Sequence, residues 1–214
     1  MYKRFGKRFI DIVMSACGLV ILSPVFVMLA IWIKLDSKGP ILFKQKRVGM
    51  GKTHFNILKF RTMRTDTPKD MPTHLLSNPE MFITKAGKFL RKTSLDELPQ
   101  IWNIFVGEMS IVGPRPALWN QYDLIEERDK YGANDLRPGL TGWAQINGRD
   151  ELEIPIKARL DGEYAEKINA GTKSGLIMDV KCFLGTIASV LKSDGVVEGG
   201  TGAMKEKSND KVNG

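Results

Sequence analysis

FIDIVMSACGLVILSPVFVMLAIWI, residues 9–33, is the stretch on which the fold turns. As one helix its 25 residues would extend about 37 Å, enough to cross a hydrocarbon core. Three features oppose a plain span. Ser23-Pro24 falls just past the middle, where the missing N–H and the ring of proline break or kink a helix, and the Ser23 hydroxyl is placed to cover a freed carbonyl. Basic residues stand on both sides, with Lys3, Arg4, Lys7 and Arg8 before the run and Lys34, Lys38, Lys44, Lys46 and Arg47 after it, whereas a single span favours asymmetry. Asp11 lies two residues into the run, at interface depth, where Arg4, Lys7 or Arg8 can pair with it. A segment that enters a bilayer, turns at Ser23-Pro24 and returns accommodates all three, so a re-entrant membrane helix-break-helix is expected over residues 1–36. A single span is the alternative. A signal peptide fits less well, because KLDSKGP, not a small-x-small cleavage site, follows the run.

Charge supports a membrane surface. Residues 1–64 hold thirteen Lys and Arg against Asp11 and Asp36, a net of +11, while the rest of the 214-residue chain carries 19 basic and 22 acidic residues, a net of −3. A basic excess beside the most apolar segment suits an anionic leaflet, and the near-neutral remainder argues against a nucleic-acid groove. Cys17 and Cys182 are far apart in apolar surroundings, so neither a disulfide scaffold nor a CxxC site is expected. Neither His54 nor His74 has a zinc-ligand neighbour at the usual spacing; any divalent ion would need oxygen ligands.

The chain length fits one catalytic unit, expected over residues 37–192, with a Gly-, Ser-, Lys- and Glu-rich disordered tail over 193–214. The expected class is α/β, mostly helical with a short sheet. PILFKQKRVG and HFNILKF read as two strands joined at Gly49 and Gly51, with Phe55, Ile57, Lys59 and Arg61 of one parity. Residues 66–80 carry three prolines and read as a loop. TSLDELPQIWNIFVG reads as a helix burying Ile101, Trp102, Ile104 and Phe105. QYDLIEERDKYG and ELEIPIKARLDGEYAEKI read as amphipathic helices. Apolar residues at 176, 180, 183, 184, 187 and 191 form a helical stripe that either packs on the core or lies on a membrane.

Chemistry concentrates in Thr93-Ser94-Leu95-Asp96-Glu97-Leu98-Pro99-Gln100, which puts adjacent carboxylates where a helix begins. Ser94 and Glu97 also stand at capping-box spacing, so a plain cap is the competing reading. Two rigid arginine loops accompany the pair: Gly113-Pro114-Arg115-Pro116, and RPGLTGWAQINGR from Arg137 to Arg149. Glycine permits close backbone approach, proline reduces loop entropy and guanidinium groups grip phosphate oxygens, as a diphosphate substrate requires. An ordinary turn with a surface arginine is the alternative for each loop.

Taken with KRFIDI, LKFRTM and the late Met178-Asp179-Val180, these motifs resemble, in order and over nearly the whole chain, the bacterial sugar transferase family of monotopic polyprenyl-phosphate phosphoglycosyl transferases. The resemblance implies a re-entrant helix broken at Ser23-Pro24, a small catalytic domain on the cytoplasmic face of the bacterial inner membrane, and Mg2+. It implies transfer of a phospho-sugar from a UDP-sugar to polyprenyl (undecaprenyl) phosphate with release of UMP, the first membrane step of glycoconjugate assembly. By position it makes Asp96 the nucleophile that becomes covalently loaded and Glu97 its essential neighbour, both also candidate Mg2+ ligands. Lys59, Arg115 between Pro114 and Pro116, and Asp179 fall on substrate-site positions, and Arg137, Arg149 and Asp161 extend that set. The chain is expected to be the minimal form of the family; the sugar and the oligomeric state, a homo-oligomer included, stay open.

Overall fold

The computed structural model describes residues 2–67, 79–148 and 152–192. The expected tail, Arg149, and residues 68–78 of the expected 66–80 loop lie outside the described residues. A π-helical turn, Tyr2–Gly6, leads into α1 (Lys7–Ile21); α2 (Ser23–Asp36) follows after Leu22. The two helices meet at 60°. Pro24 has no N–H to give the Val20 carbonyl, and the Ser23 hydroxyl donates to that oxygen instead, at 2.8 Å. Sequence placed the break at this Ser-Pro pair for the same reason. Among the described residues no single helix is long and apolar enough to cross a membrane; the bent pair is so only jointly.

β1 (Leu42–Val48) and β2 (His54–Phe60) form an antiparallel hairpin with Phe43 opposite Lys59. A short turn, Pro79–Phe82, precedes α3 (Lys85–Lys92). A 3-10 turn, Leu95–Glu97, precedes α4 (Gln100–Val106), so the SLDELPQ stretch is two elements and not one helix. β3 (Ser110–Val112) pairs in parallel with β4 (Gly139–Thr141). Around them lie α5 (Tyr122–Asp129), α6 (Trp143–Ile146), α7 (Ile154–Asn169) and α8 (Thr172–Lys192). This is the expected mostly helical α/β class.

Burial adds three points to the sequence reading. Asp11, expected at interface depth beside Arg4, Lys7 and Arg8, reaches β3. It is buried and accepts from Ile111 N–H at 2.9 Å and Ser110 Oγ at 3.1 Å, pinning α1 to β3. Trp102 is half exposed, and α4 instead buries Gln100, Asn103 and Ile104. The stripe Leu176, Val180, Phe183, Leu184 and Ile187 faces outward from α8, while Met178, Asp179 and Cys182 pack inward.

The N-terminal helices are keyed into the rest of the chain. Arg8 donates to Ile104 O and Phe105 O, covering the carbonyl end of α4. Arg61 does the same for α2 through Ser37 O and Lys38 O. Leu29 and Ile33 of α2 pack with Phe60 and Leu90, and Val25, Phe26, Leu95 and Leu98 close the cluster. Leu95 and Leu98 flank the carboxylate pair, so the turn that carries it rests on α2.

Candidate active site

The turn at Leu95–Glu97 begins with a strained residue. Ser94 has φ +56°, the left-handed region, a cost of roughly 1 kcal/mol for a residue with a Cβ. Its side chain makes no capping bond, so the capping-box alternative fails. The reversal instead turns both carboxylates toward β2 and the Gly-Pro-Arg-Pro loop.

Glu97 Oε1 accepts from Lys59 Nζ at 2.7 Å and from Arg115 Nη2 at 2.9 Å. Lys59 Nζ also lies 3.7 Å from Asp96 Oδ2. Burial raises the Asp96 carboxyl above its ordinary range, Lys59 opposes that, and the Glu97 charge adds to it. Burial acts the same way on Glu97, but Arg115 and Lys59 outweigh it and hold that carboxyl well below the usual range. Two neighbouring carboxylates thus differ: Glu97 is fixed as an anion by two cations, while Asp96 keeps a poised, only partly covered charge. Arg91, which sequence reasoning missed, also lowers Asp96 while its Nε donates to Thr62 Oγ1 at 2.9 Å. Its place at the end of α3, five residues before Asp96, gave no motif signal.

Lys59 comes from β2 and Arg115 from the rigid loop. That loop is held by backbone. Pro114 O accepts from Gly139 N–H at 2.9 Å, and Pro116 O accepts from Arg47 Nη1 at 3.0 Å; both prolines are buried as loop anchors. A Cβ on Gly139 would come within 2.1 Å of Gly113 N, and one on Gly113 within 2.4 Å of Arg137 O. These glycines let the two arginine loops touch each other.

The remaining sequence candidates lie elsewhere. Arg137 Nε donates to Gly107 O at 3.1 Å beside Arg8, at the far end of α4 from the carboxylate pair. Asp161 is buried against Arg128, with contacts of 2.8 and 2.5 Å that lock α7 to α5. Asp179 accepts from Tyr2 Oη at 2.5 Å, Lys7 Nζ at 2.7 Å and Tyr164 Oη at 2.6 Å, tying the N-terminus to α7 and α8. The structure therefore brings together Lys59, Asp96, Glu97 and Arg115, and gives Arg137, Asp161 and Asp179 internal partners instead.

The profile of the bacterial sugar transferase family matches residues 2–193. The chain belongs to that family. Among its relatives, the UDP-glucose:undecaprenyl-phosphate glucose-1-phosphate transferase of Escherichia coli (strain K12) is 44% identical over 75% of this chain and 36% of its own length. The undecaprenyl-phosphate glucose phosphotransferase of Komagataeibacter xylinus is 43% identical over 74% of this chain and 32% of its own. The chain thus spans about a third of those two proteins. It matches the exopolysaccharide production protein PSS of Rhizobium leguminosarum bv. phaseoli at 37% identity over 86% of this chain and 94% of that one. Lys59, Asp96, Glu97 and Arg115 all lie within the matched stretch.

Proposed function

We propose that this chain transfers a phospho-sugar from a UDP-sugar to undecaprenyl phosphate, with UDP-glucose the first donor to test, at the cytoplasmic face of a bacterial inner membrane. The observation that carries the reading is Asp96 and Glu97 set against Lys59 and Arg115 on a turn that rests on the bent helix pair. The activities of the two glucose-transferring relatives support the substrate class.

In the proposed mechanism an Asp96 carboxylate oxygen attacks the phosphorus that bears the sugar. The bond from that phosphorus to the bridging oxygen breaks, and UMP departs. An oxygen of undecaprenyl phosphate then attacks the aspartyl-bound phosphorus, expelling the carboxylate; the anomeric bond is untouched. A carboxylate approaching a diphosphate meets like charge, and the Lys59 and Arg115 cations beside the pair offset it. Glu97, held anionic, fixes both cations in place.

The donor set here suits a hard divalent ion such as Mg2+, which takes oxygen ligands. Among the described residues no three acidic or histidine side chains cluster, whereas Asp96 and Glu97 offer two adjacent carboxylates and Glu97 spends only Oε1 on its cations. Asp96 and Glu97 would hold the ion, which would supply charge neutralisation to the diphosphate.

The helix pair is proposed to be re-entrant, with both ends on the cytoplasmic side. Much of its outward surface is apolar: Val20, Ile21, Val27, Met28, Ile31 and Leu35 are all more than half exposed. The test of the chemistry is incubation with UDP-glucose alone. One UMP released per chain and a labelled protein are expected, while turnover with both substrates but no labelled protein would favour direct attack by the lipid phosphate with Asp96 only holding metal. Asp96→Asn should lose at least three orders of magnitude in turnover, about 4 kcal/mol of barrier, because an amide cannot replace the nucleophile.

A further inference from the structure

β2 belongs to a two-stranded sheet, so its side away from β1 has no neighbouring strand among the described residues. At the height of Lys59 that edge is closed by one side chain. Leu58 N–H donates to Asn103 Oδ1 at 3.0 Å, and Asn103 Nδ2 donates to Asn56 O at 2.9 Å and to Glu108 Oε2 at 2.6 Å. A carboxamide carries the same donor and acceptor as a peptide group, and here it stands where the peptide of a third strand would stand. One donor and two acceptors around it leave a single amide orientation. Asn103 is 1% exposed, and its own carbonyl accepts from Gly107, Glu108 and Met109 N–H, so it cannot slide along α4.

The contact closes a ring. Leu58 adjoins Lys59 on the strand side, and Asn103 lies seven residues beyond Asp96 on the helix side. Lys59 Nζ on Glu97 Oε1 closes the other end at 2.7 Å. Hydrophobic packing alone would let β2 shift against α4 by fractions of an ångström; two directional bonds from β2 to one amide, itself oriented by Glu108, do not. We infer that Asn103 is a positioning residue for the transfer, its amide fixing the strand that presents Lys59 against the turn that presents Asp96 and Glu97. The inference rests on the function proposed above for those residues. Asn103 touches no substrate in this role and acts only through Lys59.

The test is a two-background comparison of UMP release from UDP-glucose with undecaprenyl phosphate. Asn103→Asp keeps an acceptor for Leu58 N–H but sets an oxygen against Asn56 O and the Glu108 carboxylate. It should lower kcat about tenfold or more, since misplacement on the ångström scale costs up to about a hundredfold, with KM for UDP-glucose changed less than about twofold. In a Lys59→Ala background the same substitution should lower kcat less than about twofold, because the group it positions is gone. Equal proportional losses in the two backgrounds, or an unchanged kcat in the parent, overturn the inference and leave Asn103 a structural residue. Should Lys59→Ala itself match the parent, the reading of the site fails and the inference falls with it; a slow Lys59→Ala with equal losses sinks Asn103 alone. Asn103→Ser, which adds no charge, carries the same comparison where the aspartate variant does not fold.

Discussion

A carboxylate is useful as a nucleophile only while it is ionised, and the two acids of this site are held apart on that scale. Burial raises Asp96, with Lys59 the largest opposing influence, while Arg115 and Lys59 keep Glu97 low. As pH falls, Asp96 takes up a proton first and at higher pH than an ordinary aspartate. The acid limb of kcat/KM should therefore lie above the ordinary aspartate range and follow one ionisation. Removing Lys59 takes away the largest lowering influence, so in Lys59→Ala the limb should move to higher pH, while the pH-independent rate drops by roughly a hundredfold for loss of one oriented cation. A pH–rate profile of both proteins checks this, and a limb that moves downward contradicts it. Glu97 behaves oppositely: its depressed carboxyl contributes stability above the ordinary glutamate range, which is lost only as pH falls toward its lower, folded value.

At the scale of elements, two buried aspartates hold helices in place. Asp11 satisfies Ile111 N–H and Ser110 Oγ, so Asp11→Ala leaves a buried donor without an acceptor and should cost about 1–3 kcal/mol, with Asp11→Asn costing less because an amide oxygen still accepts. Asp161→Ala strands the Arg128 guanidinium in the interior and should cost about 3–5 kcal/mol. Denaturant unfolding reads both; on the folded fraction, Asp161→Ala should keep its KM for UDP-sugar, and a large KM rise would restore Asp161 as a substrate residue. Neither role was legible in sequence, since the partners of Asp11 lie about a hundred residues away. β3 and β4, three residues each, are too short to show alternation. The hairpin strands β1 and β2, the Ser-Pro break and the later long helices were legible because their signals are local: alternation, a missing N–H, a 3.6-residue stripe. Trp102 misled for that same reason. Its apolar i, i+3, i+4 neighbours look like a core face, but the face that packs is Gln100, Asn103 and Ile104, two of them polar and one bonded to a strand edge. Lys59 entered the candidate site through the family resemblance, since parity set it beside Arg61 without distinguishing the two, and its meeting with Glu97 across 38 residues is a fact of tertiary structure.

For the whole molecule, the side of a bilayer that each end of the bent pair occupies fixes the depth of the Asp96 and Glu97 carboxylates, because Leu95 and Leu98 seat their turn on α2. Cys17 is exposed on α1, whereas Cys182 is fully buried, its thiol pushed up to about 12 by burial and by Asp179. Cys182 should therefore stay silent to maleimides near pH 8 in the folded protein and react once it is unfolded. Cys17 has no such protection from its own chain, and lipid around the proposed hairpin would shield it. In sealed inner-membrane vesicles a charged maleimide should leave Cys17 unlabelled, and its ready labelling there would remove the hairpin from the bilayer. In a Cys17→Ser background, Lys3→Cys and Lys38→Cys then report the two flanks, both exposed. A re-entrant pair, turning where Ser23 covers the Val20 carbonyl, predicts that both flanks label in inside-out vesicles and neither in right-side-out ones. Labelling of the two flanks from opposite sides would mean a span. The turn holding Asp96 would then rest on a helix emerging from the far side of the bilayer from residue 3, and the proposed shallow seating would fail.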